Sequence, residues 1–90
     1  LAALDVVYQI EVLKLIRQLV DEQGLGVVII LHDLNLAARF CDEFIALKQG
    51  KLCHMNDVKH TMEKDVLRSI FGVDFTLLTH PTTTHKVAVI

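Results

Sequence analysis

The sequence has little that suits a membrane span, a nucleic-acid partner or a secreted domain. Its longest uncharged apolar run, residues 27–31, is far shorter than the ~20 residues that cross a bilayer. The formal net charge is −2, and Lys and Arg are interspersed with Asp and Glu rather than gathered in a basic patch or arm. Direct binding to nucleic acid is therefore not expected. No basic region precedes the apolar residues at the N-terminus, so no secretory signal is predicted.

Cysteine and histidine do not form a metal-binding pattern. The two cysteines, Cys41 and Cys53, are not in a CxxC arrangement, which is typical of reduced thiols in a cytosolic protein. His54 follows Cys53, and His80 and His85 flank a threonine-rich turn, but neither spacing matches a zinc site. We therefore predict no metal site.

Apolar residues, by contrast, are abundant. Hydrophobic residues make up 52% of the 90 residues, whereas a free-standing domain of this size exposes most of its surface and normally carries more charge. The excess suggests that further chain covers part of this surface, and a start at Leu1 rather than Met is typical of a fragment or a processed chain. We expect one small domain or part of a larger one.

The first half of the sequence predicts a helix, a buried strand and a second helix. Between about Asp5 and Gln23, apolar residues recur every three or four positions opposite a charged face, with Asp5 as the predicted N-cap and Gly24 as the stop. The β-branched run at 26–32 is typical of a strand that is buried on both faces. A helix at about 33–40 completes the order of an α/β fold with a parallel sheet, whose other strands lie outside this sequence.

The second half alternates apolar runs with glycine and proline turn signals. Residues 44–48 and 51–55 are predicted to form a hairpin around Gln49-Gly50. A helix is predicted at 62–71, capped by Thr61 and ended by Gly72. Two short strands are predicted at 75–78 and 87–90, around a loop at 80–84. We expect these last elements to form a small α+β tail after the α/β core.

Three segments, in this order and spacing, resemble the C-terminal part of the ATP-binding subunit of an ABC transporter. Ala2-Ala3-Leu4-Asp5 is similar to the family's D-loop, usually Ser-Ala-Leu-Asp, although Ala2 replaces the serine and Leu1 stands where Thr is common. Residues 28–34 look like the strand and helix around the switch histidine, which would be His32, and residues 44–51 match the family's hairpin. Residues 66–74 and His80-Pro81 resemble a narrower group, the ATPases of importers for ferric siderophores, haem and cobalamin.

The resemblance implies a P-loop-type nucleotide-binding domain. Residues 1–56 would be the C-terminal portion of its ATPase core, and residues 57–90 an appended helix with two short strands. His32 would be catalytic and would bind the γ-phosphate of the cofactor ATP, which acts with Mg²⁺ in the intact subunit. Asp5 would lie at the dimer interface beside the partner's phosphate loop. The implied partners are a second ATPase subunit and the transporter's membrane subunits, which would hold the protein at the cytoplasmic, inner face of the cell membrane.

Several motifs that hold ATP in this family are absent from the 90 residues. The sequence has no G-x-x-x-x-G-K-[ST] loop, no Gln loop, no Leu-Ser-Gly-Gly-Gln signature and no acidic Walker B strand. We therefore expect this chain alone to bind no cofactor and to hydrolyse no ATP. We also expect it to self-associate or to be only marginally folded.

Position alone favours simpler roles for the candidate residues. His32 lies where the predicted strand meets a helix N-terminus, a place that suits phosphate, yet a strand-end histidine bonded to backbone is the commoner case, and only the resemblance favours the phosphate contact. Asp33 is expected to cap the helix that follows it. Asn35 and Arg39 are interpreted as an ordinary solvated face.

Two other classes of protein remain open at this point. One is an independent, self-associating α+β binding module without nucleotide chemistry. The other is a non-transport ABC protein of translation or DNA repair, against which the importer-like tail after Val66 argues. The coding sequence upstream of Leu1 distinguishes the first from a transporter ATPase, because an ATPase would show Asp-Glu-Pro there and a phosphate loop further upstream.

Overall fold

A long helix, α1, forms most of the first third of the chain. The structure is a computed structural model that describes residues 2–90, and α1 spans Ala2–Gln23. Gly24 ends the helix with φ +65°, and its N–H donates to the Val20 carbonyl at 2.9 Å, so the predicted stop is confirmed. The predicted N-cap is wrong: Asp5 lies inside the first turn, because the Ala-Ala-Leu before it favours helix.

The predicted buried strand does not form in this chain. Residues 24–33 are neither helix nor strand, and Val28 and Ile30 are 90% and 84% exposed. Every strand pairing within residues 2–90 is antiparallel, so the expected parallel sheet is absent from the described chain. A buried strand needs backbone partners at its edges and apolar cover on its faces. In these residues the run has neither.

The predicted second helix and hairpin are confirmed. Helix α2 spans Leu34–Phe40, and strands β1, Glu43–Lys48, and β2, Lys51–Asp57, pair in antiparallel fashion. Gln49 and Gly50 have φ values of +52° and +75°, as a two-residue type I′ turn requires. The pairing shifts by one residue between Ala46 and Leu47, so β2 carries a bulge.

The single helix predicted at 62–71 is two helices in the structure. Helix α3 spans Val58–Thr61 and α4 spans Lys64–Phe71. Thr61, predicted as an N-cap, is instead the last residue of α3 and is 1% exposed. Gly72 ends α4 in the left-handed region with φ +75°, as predicted. The sequence then forms the antiparallel strands β3, Thr76–Thr79, and β4, Lys86–Val89.

One small core joins the elements that follow His32. Its buried members come from α2, from the residue that follows α3, from α4 and from β4: Ala38, Met62, Leu67 and Ala88. Leu34, Phe44, Val58, Phe75 and Leu77 pack against them. Leu67 is 0% exposed, so it lies at the centre of this core.

The chain separates into two compact units, one ending at His32 and the other running from Asp33 to Ile90. The mixture of helices and strands agrees with the predicted α/β class. Residues on both sides of position 56, among them Phe44 and Leu67, pack in the same core. The boundary predicted after residue 56 concerns the longer parent protein and stays a prediction.

We expect the chain to self-associate through its exposed apolar segment. Val28 and Ile30 pair with no strand of residues 2–90 and are almost fully exposed, and such a β-branched run is a template for pairing with another copy. Light scattering should give an apparent mass that rises with concentration. The double substitution Val28→Lys and Ile30→Lys should abolish this rise, since like charges oppose edge pairing.

Thr82→Lys together with Thr83→Lys is the matched control, because it adds the same charge at an exposed loop and should leave self-association unchanged. A compact monomer at every concentration for the unsubstituted chain would contradict this prediction.

Candidate functional site

His32 lies between the irregular segment 24–31 and the helix that follows. Its side chain is exposed, and it immediately precedes Asp33 in the chain. An exposed imidazole can donate a hydrogen bond from either ring nitrogen, depending on its tautomer. His32 is therefore available as a single donor to a ligand.

Asp33 is the N-cap of α2, as predicted. Its backbone is extended, with φ −100° and ψ 111°, and its Oδ1 accepts hydrogen bonds from the N–H groups of Asn35 and Leu36 at 2.9 and 3.1 Å. These bonds satisfy amides that the first turn of a helix leaves unpaired. The same amides are therefore engaged by protein and are not open to a phosphate.

Asp5 is exposed in the first turn of α1. A carboxylate there complements the positive end of the helix dipole even though it is not the cap. Leu1, the other position noted in the D-loop comparison, lies outside the described residues. Among the residues that are described, no hydrogen bond or ion pair joins Asp5 to His32, so the structure presents the two as separate exposed groups.

Asn35 is the residue that the sequence interpretation missed. It is half-buried, not on a solvated face: its Nδ2 donates to the Ala88 carbonyl at 3.0 Å, and its Oδ1 accepts from the Ala88 N–H at 2.7 Å. The available signal was composition, because only Asn35 and Arg39 are polar in the seven residues of α2. A helix that is apolar on most of its surface is buried on most of its surface. Arg39 is exposed, as interpreted.

Two histidines near the end of β2 have defined structural partners. Thr61 Oγ1 donates its hydrogen to the Asp57 carbonyl at 2.7 Å, so it accepts from His54 Nε2 at 2.8 Å. The His60 N–H and ring Nδ1 both contact Asp57 Oδ1, at 2.8 and 2.7 Å. The backbone hydrogen bond from His60, followed by the one from its ring, holds the pKa of Asp57 below its usual value. These contacts cap α3.

The loop between β3 and β4 contains a stacked histidine pair. The rings of His80 and His85 are 5.0 Å apart between centroids and nearly parallel. His80 Nδ1 accepts from the N–H groups of Thr82 and Thr83 at 3.1 and 3.2 Å. Burial, and then repulsion by His80 and Arg39, lowers the pKa of His85 below its usual value.

No group of three or more His, Cys, Asp or Glu side chains in residues 2–90 could ligate a metal ion. A groove of about 470 Å³ is bordered by Asp42 and Asp57 but also by Lys59 and Lys86, so its charges are mixed. Asp33 occupies the amides at the start of α2, whereas the side chain of His32 just before it is exposed to solvent.

Cys41 and Cys53 are not joined by a disulfide. None of the helices that the structure describes combines the length and the apolar character that a membrane span requires.

Comparison with curated proteins defines the class of this chain. No protein-family model matches the sequence, but individual relatives match almost all of it, and they are import ATP-binding proteins. The chain is 36% identical over 97% of its length to the hemin import ATP-binding protein HmuV of Bordetella pertussis. It is 38% identical over 93% of its length to the iron(3+)-hydroxamate import ATP-binding protein FhuC of Bacillus subtilis. A third relative is the petrobactin import ATP-binding protein FpuC of Bacillus anthracis, 35% identical over 79% of this chain.

These matches confirm the resemblance found in the sequence motifs. The chain belongs to the ATP-binding proteins of ABC importers, in the group whose members are named for haem and siderophore iron. It spans about a third of the length of these relatives, 33% of the hemin protein and 31% of the hydroxamate protein. The alternative of an unrelated binding module is not favoured by these matches.

Proposed function

We propose that this chain is the C-terminal part of the ATP-binding subunit of an ABC importer for haem or a ferric siderophore. The observation that carries the proposal is the 36% identity to a hemin import ATP-binding protein over 97% of the chain. The order of the D-loop-like, switch-histidine-like and hairpin segments supports it. In the intact subunit, hydrolysis of ATP bound with Mg²⁺ would supply the free energy that drives import.

His32 would act on the terminal phosphate. Its exposed imidazole directly precedes a capped helix, and as a hydrogen-bond donor it would stabilise the charge that develops on a phosphate oxygen and would help to hold the attacking water. Asp5 would lie at the interface between two ATPase subunits and couple their sites. Its exposure on the first turn of α1 is compatible with such a contact.

The proposed partners follow from the same family membership. Two copies of the intact subunit would form a dimer, and that dimer would bind the importer's membrane subunits at the cytoplasmic face of the cell membrane. The exposed apolar segment at 27–30 would then be covered by the remaining two-thirds of the subunit. P-loop-type architecture is proposed for that longer protein.

We expect the 90-residue chain alone to show neither micromolar ATP binding nor turnover above a blank without protein. The phosphate loop, whose amides and lysine make most phosphate contacts in such proteins, is absent from the sequence. Calorimetry and a phosphate-release assay test both statements.

The matched positive control is a hybrid subunit. It is the Bordetella pertussis hemin import ATP-binding protein in which this chain replaces the 87 aligned residues. We expect the hybrid to bind and hydrolyse ATP. A folded hybrid that binds ATP but never hydrolyses it would contradict the proposed function. Turnover by the isolated chain would contradict the expectation that the phosphate contacts come from a phosphate loop outside these 90 residues.

A further inference from the structure

The side chain of Asn35 pairs with the backbone of Ala88 as a neighbouring strand would. The amide nitrogen donates to the Ala88 carbonyl, and the amide oxygen accepts from the Ala88 N–H, at 3.0 and 2.7 Å. Both bonds are partly buried and join positions 53 residues apart in the chain. A side-chain amide supplies a donor and an acceptor side by side without needing to change its protonation state, so it matches a peptide group.

The strand register explains why these backbone groups are available. Leu77 lies opposite Ala88 in the β3–β4 hairpin. In an antiparallel pair, residues alternate between those that bond to each other and those whose N–H and C=O point outward. Since both Ala88 groups bond to Asn35, Ala88 is an outward-facing residue of β4. The side chain of Asn35 therefore pairs with the outer edge of the β3–β4 hairpin, at a residue inside strand β4.

Apolar packing surrounds the same contact. Ala38, one turn after Asn35 on α2, and Ala88 itself belong to the buried core. Leu34 and Leu77 pack against that core from α2 and β3. Hydrogen bonds that are shielded from water in this way are stronger than exposed ones. Removing one partner destabilises the fold, because the other polar group is then buried without a hydrogen bond.

We infer that Asn35 is a positioning residue, which fixes the start of α2 against the C-terminal hairpin and through it the placement of His32. Helix α2 begins two residues after His32, and its first turn is held at one side by the Asp33 cap and at the other by Asn35. Strand β4 therefore sets the position of helix α2, which follows His32, the residue proposed to contact phosphate. This inference rests on the proposed function of His32.

The first test measures the pairing in the 90-residue chain. Hydrogen exchange of the Ala88 amide, read by NMR, should be at least about threefold faster in Asn35→Leu and, at neutral pH, in Asn35→Asp. An ionised carboxylate can accept from the Ala88 N–H but repels the Ala88 carbonyl, whereas a protonated carboxyl has one donor and one acceptor and mimics the amide.

The pH dependence of Asn35→Asp separates pairing from general loosening. The neighbouring carbonyl and partial burial both favour the neutral acid, so the ratio of variant to wild-type exchange should fall towards one as pH is lowered from about 8 to about 5. The ratio for Asn35→Leu should stay constant. The ionisable side chains on the elements that form this contact are Asp33 and Arg39 at α2 and Lys86 on β4. They are present in both the variant and the wild-type chain, so the ratio of exchange rates removes their contribution.

The second test measures the consequence for His32 in the hybrid subunit. Asn35→Leu should lower kcat between about tenfold and about 100-fold, because a displaced catalytic group costs turnover on this scale, and should leave the KM for ATP nearly unchanged. Arg39→Gln, an exposed position on the same helix, should leave kcat unaltered. Val58→Ala, which trims a half-buried side chain at the start of α3, controls for loss of stability alone.

The outcomes distinguish the inference from the proposed function. Unchanged Ala88 exchange in both Asn35 variants would overturn the inference, as would normal kcat for Asn35→Leu in a hybrid whose turnover depends on His32. An equal loss of kcat in Val58→Ala would also overturn it, since stability would then explain the effect. A hybrid with no ATPase activity would remove the proposed function and this inference with it.

Discussion

Replacing His32 by Ala in the hybrid subunit should reduce kcat by about 10²–10³-fold while ATP affinity changes little. A preorganised hydrogen-bond donor acts mainly on the charge that develops in the transition state, and removing one such donor typically has this effect. A contact of this kind lowers kcat more than it raises the dissociation constant. Steady-state phosphate release and calorimetry with a non-hydrolysable ATP analogue measure the two quantities.

Two matched variants define the specificity of that result. His32→Gln keeps a side-chain N–H donor and should lose less activity than His32→Ala. His60→Ala removes another exposed histidine, whose partner in the structure is Asp57, and should leave turnover intact. Unaltered turnover in His32→Ala, in a hybrid that is otherwise active, would remove His32 from the mechanism.

Leu67→Ala should destabilise the 90-residue chain by about 2–5 kcal/mol, through the lost transfer free energy and the cavity left behind. Leu67 is 0% exposed and packs with Ala38, Met62 and Ala88. Ordinary domains are stable by only about 5–15 kcal/mol, so this variant should lose a large share of its free energy of unfolding. Urea unfolding followed by circular dichroism measures the change.

Leu47→Ala is the control for Leu67, because Leu47 is 69% exposed and its truncation should change stability by less than about 0.5 kcal/mol. Leu67→Met keeps most of the volume and should cost less than about 1.5 kcal/mol. Equal destabilisation by Leu67→Ala and Leu47→Ala would mean that the core described around Leu67 does not hold the unit together.

Local signals in the sequence predicted much of the fold. Gln49-Gly50 predicted the hairpin, since a type I′ turn needs positive φ at both of its residues. Gly24 and Gly72 predicted two helix ends, and Asp33 predicted the start of α2, because caps depend on residues within one turn. Motif order also predicted the family. His32 could be singled out in this way, but its role in the intact subunit stays a proposal.

The sequence by itself therefore determined several local elements, among them the hairpin turn, two helix ends and the cap of α2, and it determined the family resemblance. Tertiary structure alone decided which polar groups are buried and which apolar runs are not. Asn35 bonds to Ala88 across 53 residues, and Thr61 is buried at the end of α3 by a contact with β2, so the partner of neither residue could be read from its neighbours in the sequence. The run at 27–31 has the composition of a buried strand, yet it forms none here. A strand is completed by partners that are distant in the chain, and composition records only the preference for them.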